Sequence, residues 1–242
     1  PKDEAVDETT SYDELRMQRG IEYEEAWVKA SFPDAVKIAP GFGFEALKNT
    51  FRAMLQGAPA IYQPQLWDLR RDVYGKADLL LRDDSAKSDL GAFHYRVVEI
   101  KRSKSLQEYH VLQAAFYTQI IGLLQGHEPP TLTVVLKDSS SIASFDGKEA
   151  ELDGLRSEWR KIRSGEKVPE TGRPPNATSS PWRLYGNKRA TEQKDLVLLA
   201  GVTKRERDKL RAAGIQRVDQ LWELGEKSVH DGLELGGDVG EL

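Results

Sequence analysis

The chain has 242 residues, of which 39% are hydrophobic and 31% charged, with a formal charge of −4 and no cysteine. That length accommodates one sizeable domain and a smaller appendage. Disulfides, thiol nucleophiles and cysteine-ligated metals are excluded, and no apolar run reaches the roughly 18 residues that a membrane-spanning helix requires. In chain order, residues 1–10 are acidic and poor in apolar groups and read as a flexible tail. The chain opens on Pro1 rather than Met, which reads as a fragment, and residues 1–25 hold nine acids against Lys2, Arg16 and Arg19. No cationic and then apolar leader opens it, so a reducing cytoplasm is the expected location.

Residues 11–31 read as a helix, because Met17, Ile21, Glu24 and Val28 follow one another at helical steps and place an acid on an apolar stripe. Phe32 and Pro33 end it. Phe44, Leu47, Phe51, Met54 and Leu55 mark a second helix, stopped by Gly57 and Pro59. The period then changes, with strands expected over 60–62, 73–81 and 93–101, the last two joined by the charged turn "RDDSAKSDLG". A helix follows over 105–124, carried by Leu106, Tyr109, Leu112, Phe116, Ile120 and Leu124. Strands over 131–136 and 141–145 and a helix over 150–163, with Leu152, Leu155 and Trp159, complete an α/β pattern in which a mixed sheet takes helices on its faces.

Residues 164–186 are rich in Pro, Gly and Ser and read as a linker or arm. Residues 187–242 turn helical, with "AGV" and "AGI" turns and Leu199, Leu210 and Leu221 recurring every eleven residues; the closing "ELGGDVGEL" reads as a truncated hairpin. Residues 187–217 carry nine Lys and Arg against four acids, a basic segment on an acidic chain.

The chemistry concentrates in "VYGKADLLL" (73–81) and "VVEIKRSKS" (97–105). Strand alternation puts Val97, Glu99 and Lys101 on one face and Val98 and Ile100 on the other. Asp78 sits between an alanine and a leucine run, where an ionised, unpaired carboxylate costs several kcal/mol and so needs a cation or a metal. Ion pairs across the sheet are one solution. The other is a divalent ion between two converging carboxylates, with the lysine assisting an attacking water or stabilising phosphate charge.

"GKADLLL", "YRVVEIKRSKS" and "EYHVLQAAFYTQIIG" resemble motifs II and III and the Gln-x-x-x-Tyr element of RecB-like nucleases, a branch of the PD-(D/E)XK superfamily. The likeness is greatest to members that carry a helix-hairpin-helix-like segment after the core and are joined to helicase domains, and it spans roughly residues 17–224. It implies a restriction-endonuclease-like nuclease core over 11–163, a helix-hairpin-helix-like region over 187–242, and Mg²⁺- or Mn²⁺-dependent hydrolysis of DNA, single-stranded or at ends, in repair, recombination or defence. A helicase domain or subunit is the implied protein partner. In this reading Asp78 and Glu99 bind the metal, the Ile100 carbonyl completes the site, Lys101 is the catalytic lysine, and Gln113 and Tyr117 orient the strand or the water.

Glu24 matches the Glu of motif I, which the resemblance implies as a further metal ligand beside Asp78 and Glu99, but Tyr23 stands where members carry a His. The chain also lacks the four Cys that several members use for an iron–sulfur cluster, so none is expected; either Trp182, Leu184 and Tyr185 replace it by packing or the fold tolerates its loss. These departures favour an alternative, a nuclease fold that no longer cuts and serves as a DNA-binding or docking module for a helicase, which the intact Asp78, Glu99, Lys101, Gln113 and Tyr117 oppose. His94, His110, His127 and His230 lack zinc-site spacing, and "APGFGFE" is not a phosphate loop. Arg102 and Lys104 read either as phosphate contacts or as a charged strand end before a helix cap at Ser103 or Ser105. In "GVTKRERDKLRAAGI", Lys204, Arg205 and the turn amides read either as DNA-backbone contacts or as part of a packing domain.

Overall fold

The computed structural model describes residues 9–41, 43–167 and 183–231. Residues 15–167 form one compact unit, and the described residues 9–14 and 183–231 group in a second.

In the first unit, α1 (Ser11–Ser31, whose first turn belongs to the second unit) leads to β1 (Val36–Lys37), α2 (Phe44–Leu55) and β2 (Ala60–Tyr62). Two short strands, β3 (Gln65–Asp68) and β4 (Val73–Lys76), then pair with each other as an antiparallel ribbon. After them come β5 (Leu79–Asp83), β6 (His94–Ile100), α3 (Glu108–Gln125), β7 (Thr131–Val135), β8 (Ser140–Ser144) and α4 (Lys148–Ser164). Among the described residues the main sheet has six strands in the order β1-β2-β5-β6-β7-β8. It is mixed: β1 with β2 and β6 with β7 run parallel, and the other neighbours antiparallel. The parallel step from β6 to β7 requires a crossover, and α3 supplies it.

Alternation along β5 and β6 divides the core in two. Leu80, Tyr95 and Val97 join Leu132 and Val134 on one face, under Met54 of α2, Ala114 and Ile121 of α3 and Leu152 of α4. Leu79, Leu81, Val98 and Ile100 face the other way, against Val28 and the half-buried Tyr23 and Trp27 of α1. Helices therefore cover both faces, as the order of periods predicts.

Several boundaries differ from the sequence reading. The run 73–81 is two strands: Ala77 N–H donates to the Pro64 carbonyl and Gln63 N–H to the Asp78 carbonyl, so the chain leaves the ribbon and enters the sheet at Ala77–Asp78. An unbroken apolar alternation hides that step. The β3 strand went unread because "QPQLWD" carries neither alternation nor a β-branched residue. On α1, Met17 and Ile21 are 63% and 44% exposed rather than inward, because only the C-terminal half of the helix packs on the sheet. The α3 helix starts at Glu108, where Gln107 and His110 form a reciprocal cap, leaving Leu106 before it and Tyr109 exposed.

In the second unit, α5 (Arg183–Gln193) begins inside the stretch expected to be a linker. A 3-10 turn (Leu196–Leu198), α6 (Lys204–Ala212) and α7 (Val218–Asp231) follow. Leu196, Leu210 and Ile215 are buried together with Leu199 and Leu221 against them, so the eleven-residue recurrence marks a small shared core. Gly201 and Gly214 hold φ of 80° and 87°, the left-handed conformation that makes glycine the residue of choice in these turns. Leu184 is 61% exposed rather than a packing staple. Residues 1–8, Trp182 and the closing stretch 232–242 lie outside the described residues. Among the described residues no helix is long and apolar enough to cross a membrane.

Gln125, fully buried at the end of α3, closes the start of β6. Its amide accepts from Tyr95 N–H at 2.7 Å and donates to the carbonyls of Tyr95 and His127 at 3.0 and 2.8 Å. Gln125→Leu strands buried polar groups at roughly 1–3 kcal/mol each. It is expected to lower the unfolding free energy by roughly 2–5 kcal/mol in a urea titration.

Candidate functional site

The site forms where β6 ends beside the start of β5. In a strand the N–H and C=O of one residue point to the same side. Lys101 N–H is paired to the Val135 carbonyl of β7, so Ile100 directs its own groups toward β5. Asp78, the residue before β5, meets them with its side chain: its Oδ2 accepts from Ile100 N–H at 2.7 Å. The Ile100 carbonyl opens to that same side.

Glu99 projects onto the α3 face of the sheet, as Val97 does, and its carboxylate is 0% exposed. Lys101 lies on the same face, its Nζ donating to Glu99 Oε1 at 2.6 Å with the side chain 23% exposed. The other Glu99 oxygen, Oε2, is buried with no donor among the described residues. Burial, and then the neighbouring Glu99 carboxylate, push the Asp78 carboxyl up from its ordinary range, with Lys101 and Ile100 N–H offsetting only part. Burial likewise pushes Glu99 up against the pull of Lys101. Burial alone lowers the Lys101 ammonium, but Glu99 and then Asp78 outweigh it and hold the group protonated.

Glu24 reaches the rim of this cluster from α1. Its Oε1 accepts from the Gln63 side chain at 3.2 Å, and no hydrogen bond joins it to Asp78 or Glu99 among the described residues. Burial and the Asp78 charge both push it up; Gln63, Tyr62 and Lys76 pull the other way. Glu22 and Glu25 engage Gln18 and Lys37 at the surface, so Glu24 alone of the three turns inward. Tyr23 is committed elsewhere, donating from its hydroxyl to the Leu136 carbonyl at 3.0 Å and packing in the α1 face of the core.

From α3, Tyr117 is buried over Gly75 of the ribbon, where a β-carbon would lie 2.6 Å from the ring. Its hydroxyl is pushed up to about 12 by burial and by Glu99, with the Gln113 side chain hydrogen-bonding in the opposite sense. Gln113, half-buried, thus lines the same corner. His110, buried one turn earlier, is pulled down by burial and by Lys101.

The structure therefore brings Asp78, Glu99, Ile100, Lys101, Gln113 and Tyr117 to one corner, with Glu24 at its edge. Arg102 and Lys104 follow on an exposed loop. Arg205 is exposed in the second unit, and Lys204 opens α6. The Thr203–Glu206 capping box already occupies amides at that helix start, and Arg211, Arg217 and Lys194 engage Asp195 and Asp219. Gln63, Gly75 and Lys76 went unread as parts of the site. Gln63 has a φ of 54°, uncommon outside glycine and invisible in sequence, whereas Lys76, two residues before a buried acid in "GKAD", was there to be noticed.

Among the described residues no three His, Asp or Glu side chains converge as a ready-made ligand cluster. The corner instead offers two carboxylates and a carbonyl, a donor set that fits a hard divalent cation which keeps several waters. The unpartnered Glu99 Oε2 and the mutual repulsion of Asp78 and Glu99 are the features that such an ion would satisfy. No protein-family model matches the chain, and no curated protein matches it in sequence.

Carboxyls whose values rise on folding leave the native state holding more protons than the unfolded chain above the ordinary carboxylate range near pH 4. Without divalent ions, stability is thus expected to fall as pH rises through neutrality, by up to about 1.4 kcal/mol per pH unit for each such group. Asp78→Asn is expected to flatten that decline, read as melting temperature against pH. Gly75→Ala, which drives a methyl into the Tyr117 ring, is expected to destabilise by about 1–3 kcal/mol in a denaturant titration.

Proposed function

We propose that the chain is a divalent-metal-dependent nuclease of the RecB-like, PD-(D/E)XK kind, hydrolysing phosphodiester bonds in DNA. One observation carries the reading: a strand-end Asp and a strand-end Glu from adjacent antiparallel strands meet beside a lysine two residues on, in the order Asp78, Glu99, Lys101. The surrounding order of helix, antiparallel strands, crossover helix and parallel strand supports a restriction-endonuclease-like core.

Asp78, Glu99 and the Ile100 carbonyl would hold Mg²⁺ or Mn²⁺. When bound, the ion supplies Lewis acidity and an acidified water. Lys101 stays protonated against Glu99, so its part is to donate to a phosphate oxygen and stabilise charge there, not to act as a base. Gln113 and Tyr117, held beside Glu99, present an amide and a phenol for positioning the strand or the water. Glu99 Oε1 orients the ammonium, and the apolar strands behind exclude bulk water and so strengthen both interactions.

A second reading, a nuclease fold that binds DNA for a helicase without cutting it, draws on Tyr23. Its hydroxyl donates to the Leu136 carbonyl, so the residue in place of the motif I His is directed away from the carboxylates.

An assay on single- and double-stranded DNA with Mn²⁺ or Mg²⁺ distinguishes the two. Cleavage is expected only with the metal, and Glu99→Gln and Lys101→Met are each expected to lower it about 100-fold or more. Equal cleavage by all three proteins, or cleavage in a chelator, overturns the nuclease reading; metal-independent binding with no cleavage supports the second.

A further inference from the structure

Tyr109 stands 64% exposed near the start of α3, although that helix is buried over most of its length. Its ring meets that of His110 edge to face, with centroids 4.3 Å apart and planes at 68°. His110 is itself 2% exposed and fixed in place, because its Nδ1 accepts from Gln107 N–H at 3.2 Å in the cap of the helix. The Tyr109 ring is thereby held from one side and keeps the rest of its surface in water. Its position is next to the carboxylate corner. Tyr109 and Gln113 are four residues apart, hence on one face of α3 and about 6 Å apart along its axis. His110, against which the ring rests, feels the Lys101 ammonium that is bonded to Glu99.

The loop from Lys101 to Gln107 leads into the same end of the helix, and it is tied down. Lys137 N–H donates to the Ser103 carbonyl, Ser103 Oγ to the Ser105 carbonyl and the Gln107 amide to Ser105 Oγ, at 3.0, 3.0 and 2.9 Å. Arg102, Lys104 and Lys137 are exposed, and among the described residues none of these cations forms an ion pair. Glu108 and Asp138 are the exposed acids beside them in the chain, so cations are in excess. A cationic loop alone attracts anions of any kind, and an exposed tyrosine alone specifies no ligand. Together, ordered cations and an open aromatic face lie within about two stacked steps of ~3.4 Å from Gln113, which matches a chain that alternates phosphates with flat rings.

We propose that Tyr109 is the stacking platform for one unpaired base of the strand held at the corner, with Arg102 and Lys104 taking the phosphates beside it. The inference rests on the nuclease reading for the presence of that strand and deepens it. A base inside a duplex is already stacked on both faces, so the platform favours strands that are open next to the cut. The contact is tolerant of sequence, since every base has a π face.

The test measures fluorescence anisotropy of a labelled single-stranded oligodeoxynucleotide with the whole chain in chelator, where nothing is cut. Tyr109→Ala is expected to weaken binding about 5- to 100-fold, while Tyr109→Phe and Tyr109→Trp stay within about twofold of the parent. A blunt duplex of the same sequence is expected to bind parent and Tyr109→Ala alike. Arg102→Ala with Lys104→Ala is expected to flatten the fall of log affinity with log salt by roughly 0.7 for each cation, a slope that Tyr109→Ala leaves unchanged. The site is exposed, so all variants are expected to melt as the parent does. Equal affinity of parent and Tyr109→Ala, a loss in Tyr109→Phe as large as in Tyr109→Ala, an equal loss on the duplex, an unchanged salt slope without the two cations, or no binding overturns the proposal. A protein that fails to cut with Mn²⁺ yet keeps the Tyr109 effect defeats the nuclease reading alone; one that cuts without the effect defeats the platform alone.

Discussion

Asp78 and Glu99 lie together where water screens them poorly, and their mutual repulsion is the constraint around which the first unit is organised. Each carboxyl is pushed up by burial, and the nearest compensating charge is the Lys101 ammonium. Asp78 gains one further hydrogen bond from Ile100 N–H, whereas Glu99 keeps an oxygen without a donor among the described residues. One ammonium settles one acid, and the other is left to hold a proton against it. The excess of carboxylate over ammonium distinguishes this corner from Asp68 with Arg71, one acid to one cation, and from Asp219, which meets both Lys194 and Arg217.

The small ribbon ties this corner to α3. Tyr117 fits only because position 75 has no side chain, and its ring is pressed between the ribbon and the sheet. The ribbon thereby acquires two distinct faces: one braces a phenol beside Glu99, and the other, with Trp67 and Tyr74, lines a small hollow against Gly43 and Leu47 of the α2 start. Neither face is legible in the sequence, because β3 carries no strand period.

Sequence patterning made the sheet and its helices legible wherever burial was continuous. β6 and α3 are buried over most of their length, so their runs of apolar residues stand out, and Val97, Glu99 and Lys101 fall on one face as alternation requires. Patterning failed where an element is only partly covered: Met17 and Ile21 repeat at helical steps on α1 yet stay exposed, since periodicity records a possible face and not whether a partner lies over it. It failed again at 73–81, where two strands of different sheets abut without a break in hydrophobicity. The acids of the corner were readable because charges in apolar strands stand out. Their neutral neighbours, Gln63 and Gly75, were not, because each owes its place to backbone conformation or to a contact from a distant helix.

Asp78 also fixes how the chain tolerates change in length. Its carboxylate occupies the position where a longer β5 would place a backbone carbonyl, so the main sheet gains its hydrogen bond to Ile100 from a side chain exactly one residue outside the strand. Insertions or deletions in the tip of the ribbon, between Asp68 and Val73, leave that junction untouched. A single residue added between Asp78 and Leu79 would carry the acid past Ile100, and shortening β6 by one would turn Glu99 to the opposite side of the sheet.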